Sequence, residues 1–477
     1  MKTDTIAAIA TAMSDSGIGI IRVSGDDAFM IVDKIYRNSK YERILTKYHT
    51  HTIHYGYIVE KTYDHENVID EVMVSVMKAP RSYTTEDTVE INCHGGIFMM
   101  RKILYAVIQA GARIAEPGEF TKRAFLNGRI DLSKAEAVMD IIHAKNEFAL
   151  QSSMKQLKGS VSDKIRMLRQ DILYEIAFIE SALDDPEHIS LDGYHDKLSE
   201  KTEYIINELN RLIDSADDGR RLTEGINTVI IGKPNAGKSS LLNILVGEEK
   251  AIVTDIAGTT RDILEEVISF DGITLNIVDT AGIRTTEDIV EKMGVDRARK
   301  ITENADLILY VVDSSLPLDE NDRDIMNMIQ NKNVVILLNK SDLDEVVKEE
   351  DICDMVKKMN CVGNINETID SSKCIIRTST RMDSGIEDLV NAIKEMFFHG
   401  KISYNDQIYI TNMRHKEAIR ETLNSMLQVD KSLEMNMPED FYSIDLMSAY
   451  ASLGSIIGEE VGDDLVNEIF SKFCMGK

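Results

Sequence analysis

The spacing of hydrophobic positions along the 477 residues changes character three times. Over residues 1–118, the stretches 18–25, 68–79 and 87–96 are β-branched or alternate apolar with polar, and Gly, Pro or Asp bounds them. Each predicts a strand. Residues 97–110 carry helical spacing, and Gly111 is placed to cap that helix, so the first segment predicts an α+β domain. Residues 119–224 put apolar side chains at intervals of three and four, with few breakers before Asp185-Pro186, which predicts a helical bundle. Over 225–400, the short apolar runs NTVIIG, LNIVDTAG, ADLILYVVD, NVVILLNK and CIIRTS alternate with helical stretches, the rhythm of a parallel sheet covered on both faces. Residues 401–477 return to helical spacing. The simplest fold class is therefore multidomain α/β plus α: an α+β domain at 1–118, a helical domain in two parts at 119–224 and 401–477, and an α/β domain at 225–400 inserted into it.

The inserted domain carries the most specific chemistry. The P-loop from Gly232 to Ser239 (GKPNAGKS) follows one apolar run and opens a helical one. Its glycines let backbone N–H groups close around phosphates, Lys238 reaches the β and γ oxygens, and Ser239 is placed for Mg²⁺. Asn235, Ala236, Gly237 and Ser240 complete this set of contacts. Three further motifs follow in order. Thr259-Thr260-Arg261-Asp262 lies in a Gly-containing loop, with Thr260 as the second Mg²⁺ candidate; Thr254, Asp255, Ile256, Ala257 and Gly258 precede it as further nucleotide contacts. Asp279-Thr280-Ala281-Gly282 ends an apolar run where Asp279 can hold Mg²⁺ through water and Gly282 can sense the γ-phosphate. Asn339-Lys340-Ser341-Asp342 ends another, and the Asp342 carboxylate can accept hydrogen bonds from N1 and the exocyclic N2 of guanine. Adenine has no such donor pair, so the nucleotide is GTP. Ser379-Thr380-Arg381 would offer a backbone amide to guanine O6. These motifs in this order specify a P-loop GTPase domain.

Its hydrolytic groups are less ordinary. Ras-like GTPases place a water-orienting Gln after DTAG, whereas Ile283 occupies that position here. Glu291 reads either as a solvated helix-start glutamate or as a carboxylate within reach of the water, and Arg284 either as a charge stabiliser or a surface arginine. Asn235 and the carbonyls of Thr254 and Ile256 are candidate ligands for a monovalent cation where other GTPases place an arginine.

Composition bounds the cellular context. Hydrophobic residues make up 43% of the chain, enough for several cores. No apolar run approaches ~18 residues, so no transmembrane helix is expected, and the apolar stretch near the start is too short and interrupted for a signal peptide. The five cysteines are scattered with no CxxC spacing, which fits a reducing, cytoplasmic setting. The 81 acidic and 54 basic residues give a formal net charge of −27, which argues against a chain that wraps nucleic acid. The charge is uneven, however: 225–400 carries 32 acidic and 19 basic groups, net −13, while 1–118 is nearly neutral at net −2. Lys145, Lys155, Lys158, Lys164, Arg166 and Arg169 oppose only two acids within 143–170, so a weak, salt-sensitive nucleic-acid contact stands there beside the plainer reading of a solvated helix face.

Together the motifs resemble the tRNA modification GTPase family MnmE, also called TrmE, over the full length. Beyond the GTPase motifs, the resemblance rests on Asp4-Thr5-Ile6, on Gly19 to Gly25 (GIIRVSG), on Thr84 to Glu90 (TTEDTVE) with Cys93-His94-Gly95-Gly96, on Pro117 to Arg129 (PGEFTKRAFLNGR), and on the terminal Phe473-Cys474-Met475-Gly476-Lys477. It implies a tetrahydrofolate-binding, dimerising N-terminal domain, with folate contacts on Arg22, Glu90, Arg129 and Lys477. The resemblance implies a 5-formyl- or 5,10-methylene-tetrahydrofolate as that ligand. The chemistry suits a pterin, since a carboxylate pairs with its 2-amino and N3 donors and arginines hold a glutamyl tail; without the resemblance, Arg22 and Glu90 read as ordinary cross-strand partners. The resemblance further implies a functional Cys474 near the folate, whose thiol a cation such as Lys477 would acidify, Glu291 orienting the hydrolytic water, and Asn235 coordinating K⁺. It implies as partners a second copy of the chain, an MnmG-like flavoprotein carrying FAD, and tRNA modified at C5 of the wobble uridine, with no membrane. A ribosome-assembly GTP switch without folate chemistry and a GTP-regulated folate transferase are the rival readings. Departures from the family pattern are small: Glu116 stands where arginine is usual, Ser341 and Thr380 stand where alanine is common, and Thr85 replaces a common Gly, so that its turn is expected to avoid positive φ.

Overall fold

The computed structural model describes residues 4–61, 65–185, 187–190, 193–247, 266–270, 273–278, 302, 305–329, 332–358, 375–398, 408–459, 461–473 and 476. They form two compact units, one of residues 1–139, 155–202 and 424–477, the other of 140–154 and 203–423.

The first unit holds a seven-stranded sheet. Its strands are β1 (Ile6–Ile9), β2 (Ser16–Ser24), β3 (Tyr36–Asn38), β4 (Thr52–Lys61), β5 (Glu66–Met77), β6 (Thr88–Gly95) and β7 (Arg113–Ile114), in the spatial order β3-β4-β5-β6-β2-β1-β7. All neighbours run antiparallel except β1 and β7. The predicted strands are β2, β5 and β6. Their alternate residues Ile21, Val23, Val72, Val74, Val76, Val89 and Ile91 are buried in one core with the helices Ala28–Ile35 and Ile97–Gln109. The other register positions carry Arg22 and Glu90, which face each other across β2 and β6. The helix from Ile97 ends as expected: Gly111 has φ +123° and donates to the Ile108 carbonyl.

One expectation fails. Thr85 adopts φ +64°, although its turn was expected to avoid positive φ. Its buried neighbours impose the conformation: Ser24 Oγ lies 2.6 Å from Thr84 Oγ1 and donates to Glu86 Oε2 at 2.8 Å. Thr85 Oγ1 donates to the Thr84 carbonyl at 2.6 Å. A left-handed residue with a Cβ costs about 1–2 kcal/mol, and it persists because the surrounding bonds over-determine the turn.

The helices of this unit include Ser160–Asp184, which packs on Glu439–Ile457, and Asp463–Ser471 near the C-terminus. Phe470 and Phe473 pack with Leu132 and Phe125. Gly118, at φ +68°, lets this tail approach, for a Cβ there would lie 2.5 Å from the Phe470 carbonyl oxygen. Leu132–His143 and Glu147–Lys158 are separate helices. Asn146 lies in the break; its Oδ1 accepts from the Ala149 amide at 2.7 Å, as a capping residue does.

The second unit is built on a six-stranded sheet of β8 (Ile226–Gly232), β9 (Glu266–Phe270), β10 (Ile273–Ile277), β11 (Leu307–Asp313), β12 (Val334–Asn339) and β13 (Ile375–Arg377), in the order β13-β12-β11-β8-β10-β9. Every neighbouring pair is parallel except β9–β10. All seven residues of β11 and all six of β12 are buried, as continuous apolar runs demand when both faces are covered. The two faces carry separate clusters, one around Leu242, Leu309 and Leu389, the other around Tyr310, Ile336 and Ile352. Among the described residues, no helix is long and apolar enough to cross a membrane.

Candidate functional site

The P-loop leaves the carboxyl end of β8, the position at which open parallel sheets bind ligands. Gly232, at φ +152°, passes so close to β11 that a Cβ would sit 2.2 Å from the Val311 carbonyl oxygen. Lys238 turns back across the loop, its Nζ donating to the carbonyls of Gly232 and Lys233 at 2.7 Å each. The helix Lys238–Gly247, headed by Lys238, Ser239 and Ser240, follows at once, so its first N–H groups are directed at the loop. Asn235 has φ +60° and is exposed, a conformation asparagine tolerates better than other side chains.

Asn339 binds three loops together. Its Nδ2 donates to the Ala236 carbonyl at 2.8 Å, and its Oδ1 accepts from the Thr380 amide at 3.2 Å. Gly237, at φ +104°, is the close point of that contact, where a Cβ would lie 2.0 Å from Asn339 Nδ2. Ser379 Oγ donates to Asp342 Oδ1 at 2.6 Å. That bond, with the nearby charges of Arg381 and Lys340, holds the Asp342 carboxyl below the usual carboxylate range, so both oxygens are acceptors at neutral pH. Lys340, at φ +62°, pairs with Asp313 at the end of β11. Burial would raise the Asp313 carboxyl, but the bonds from Lys340 and Ser315 outweigh it and keep the carboxyl low. The structure therefore brings Ala236, Gly237, Lys238, Asn339, Lys340, Asp342, Ser379 and Thr380 together at the carboxyl ends of the sheet's strands. Thr254 to Thr260, Asp279 to Gly282, Ile283, Arg284 and Glu291 lie outside the described residues.

One contributor escaped the sequence reading. Lys233 donates to Asp322 Oδ2 at 2.7 Å and Asp319 Oδ2 at 3.1 Å, and Asp322 is 1% exposed and also accepts from Tyr310 Oη at 2.8 Å. Burial disfavours the charged Lys233, yet the two carboxylates raise its pKa overall. Asp319 and Asp322 form the capping box of the helix Glu320–Met328, so the D-x-x-D spacing after β11 was the available signal.

The first unit assembles a second constellation. Arg22 Nε donates to Glu90 Oε1 at 2.8 Å, and Nη2 lies 2.8 Å from the same oxygen, so the two are cross-strand partners as an ordinary reading has it. Both remain partly exposed, at 17% and 22%. Arg22 Nη1 also donates to the Gly476 carbonyl at 3.1 Å, across a sequence separation of 454. Gly476 lies against the end of β1, where a Cβ would stand 2.6 Å from the Ile9 carbonyl oxygen, so a side chain there would displace the tail. Arg129 is exposed and donates from Nη1 to the Tyr83 carbonyl at 2.8 Å. Arg22 and Arg129 thus both lie at Tyr83, and Arg22 ties Glu90 and Gly476 to them, a set of donors and acceptors suited to an anionic, heterocyclic ligand. Cys474 and Lys477 lie outside the described residues. Cys93 is buried and donates to the Gly19 carbonyl, and burial pushes its thiol up to about 11, the environment of a structural rather than an activated thiol.

Beneath this constellation runs a buried charge network. Arg123 Nη1 donates to both oxygens of Glu86, and Nη2 to Glu119 Oε1 at 3.0 Å and Asp4 Oδ1 at 2.8 Å. Arg113 joins Glu119 and Asp4 from the other side. In the basic stretch of 143–170, Arg169 is buried against Glu459 and the Tyr450 carbonyl, and Arg166 is paired with Asp131. Two of those six cations therefore serve the fold of this unit.

Comparison with known proteins places these constellations in one family. The family model described as MnmE helical domain matches residues 132–474, and the one described as GTP-binding protein TrmE N-terminus matches residues 5–129. A protein of Lachnoclostridium phytofermentans named tRNA modification GTPase MnmE is 57% identical over 477 residues, covering 100% of both chains. Proteins of the same name from Alkaliphilus oremlandii and Bacillus subtilis are 45% and 44% identical over 475 residues each, covering 99% of this chain and 99% and 100% of their own. With two family models spanning nearly all of its length and end-to-end relatives of one name, the chain belongs to the MnmE (TrmE) family.

Proposed function

We propose that this chain is a GTP hydrolase whose turnover is coupled to modification of C5 of the wobble uridine in certain tRNAs. The observation that carries the GTPase half is the tie made by Asn339, which joins the P-loop, the NKSD loop and the Ser379–Arg381 loop at the carboxyl ends of β8, β12 and β13. The tRNA half is supported by the family, whose end-to-end relatives bear the name tRNA modification GTPase.

Lys238 and the N–H groups of the P-loop hold the phosphates, and Asp342 reads the base. Ser239 and Thr260 would hold Mg²⁺, which offsets charge on the β and γ oxygens. Asn235, with Thr254, Ile256 and Thr259, would hold K⁺, which supplies positive charge where related enzymes use an arginine. The exposed, left-handed Asn235 suits that part. Glu291 takes the water-orienting role that Ile283 cannot fill.

In the N-terminal domain, Arg22, Glu90, Arg129 and Lys477 bind a tetrahydrofolate derivative, the source of the one-carbon unit, with Cys474 acting beside it. The domain pairs with a second copy of the chain, and an MnmG-like flavoprotein carrying FAD is the partner in the carbon chemistry. GTP hydrolysis drives opening and closing of the G domains, not bond formation on the uridine.

Mass spectrometry of tRNA nucleosides from cells lacking the chain tests the whole reading. The C5-substituted wobble uridines are expected to disappear, and an intact profile overturns it. The cation assignment is tested separately by GTP turnover in K⁺ against Na⁺ at equal ionic strength. Faster turnover in K⁺ is expected, and equal rates remove the K⁺ site.

A further inference from the structure

Tyr83 stands at the centre of the N-terminal constellation, and no role has been assigned to it. Two guanidinium groups meet its one ring. The central carbon of Arg129 lies 4.9 Å from the ring centroid and that of Arg22 lies 5.6 Å from it, with Phe120 at 5.6 Å from Arg22 as well. The ring cannot swing away. It packs against the buried cluster of Ile6, Ala8, Ala115 and Phe120, and its hydroxyl lies 3.0 Å from Thr121 Oγ1. The turn that carries it is clamped by Glu86 on Arg123.

The two arginines differ in what neutralises them. Arg22 is bound to the Glu90 carboxylate, whereas Arg129 donates to a neutral group, the carbonyl of Tyr83 itself. Ring face and carbonyl thus fix an exposed guanidinium while leaving its charge for a ligand. An aromatic face attracts a cation without neutralising it, and a planar guanidinium so held presents a fork to a carboxylate.

We propose that Tyr83 is the positioning residue of this site, holding Arg129 for the carboxylate tail of a tetrahydrofolate and Arg22 in line with Glu90. The proposal rests on the folate reading given above and adds to it the residue that spaces the two cations.

The test is titration calorimetry of the full-length protein with 5-formyltetrahydrofolate. Tyr83→Phe keeps the ring and the carbonyl and is expected to bind like the unmodified chain. Tyr83→Leu keeps the carbonyl alone and is expected to bind about tenfold more weakly. Because Tyr83 acts through Arg129, the pair Y83L/R129M is expected to lose clearly less than the two single losses multiplied together. Should Y83L fail to fold, Arg129→Met, at an exposed position, carries the test: a loss of about tenfold or more is expected, and unchanged affinity overturns the proposal. Unchanged affinity in Y83L, or fully multiplicative losses in the pair, overturns the role of Tyr83 while the folate site stands. No binding by the unmodified chain overturns the folate reading and this proposal with it.

Discussion

Replacing Asp342 by Asn is expected to lower kcat/KM for GTP by about a hundredfold or more and to transfer activity to xanthosine triphosphate. The carboxylate meets guanine as a pair of acceptors facing a pair of donors, N1–H and the 2-amino group. An amide offers one acceptor and one donor, so one guanine N–H faces another N–H. Each charge-assisted hydrogen bond lost in such a site costs about 1.5–3 kcal/mol, and the group left unpaired adds to that. Xanthine carries an oxygen at C2, which can accept from the new amide. The structure sharpens the case because the Ser379 hydroxyl donates to Asp342 Oδ1, which fixes the carboxylate in place and holds its carboxyl below the ordinary value. Steady-state hydrolysis of the two nucleotides by the variant decides the matter. GTP turnover within a few-fold of the unmodified chain would mean that Asp342 does not read the base.

Replacing Arg123 by Met is expected to destabilise the first unit by about 3–5 kcal/mol, the usual cost of removing one partner from a buried ion network. Its guanidinium is 9% exposed and faces Glu86 at 8% and Glu119 at 10%, so both carboxylates would be left in a poorly solvated site without their common cation. Methionine fills similar space, so most of the effect is electrostatic. The pH dependence separates this from a packing defect. Burial would raise the Glu119 carboxyl, but Arg113, the Glu116 amide and Arg123 outweigh it and hold it below the usual carboxylate range, and Arg113 does the same for Asp4. Carboxyls depressed in the folded state add stability at pH values above their unfolded pKa, and that stability is lost as pH falls through the folded values. Denaturant midpoints of the unmodified chain should therefore fall steeply on the acid side of about pH 4. The R123M variant should show a shallower acid-side fall from a lower plateau. A variant within about 1 kcal/mol of the unmodified chain at neutral pH would show that Arg123 is dispensable to the fold.

The GTPase motifs were legible because a P-loop encodes its geometry locally. Gly232 answers to the close Val311 carbonyl and Gly237 to a positive φ beside the Asn339 side chain, and they lie within eight positions of one another. Strands β8, β11 and β12 were equally plain, since a sheet buried on both faces writes itself as unbroken apolar runs. Strand β4, with His54, Tyr55 and Tyr57 among its residues, was harder to see, as was β9, whose place depends on antiparallel pairing with β10 rather than on its own five residues. The turn at Thr85 was misread for a related reason. Local sterics disfavour positive φ at threonine, and only the buried bonds of Ser24, Thr84 and Glu86 override them.

Short-range order thus came from the chain itself: strand and helix periods, the phosphate loop, and the choice of guanine by Asp342 all depend on residues a few positions apart. Folding alone decided which distant groups meet. Arg22 reaches Gly476, Arg129 and Arg22 share the ring of Tyr83, and Lys233 finds Asp322 only after β8 and β11 are paired. Such contacts arise from strand register and from the packing of side chains far apart in the chain, and no periodicity in the sequence records them.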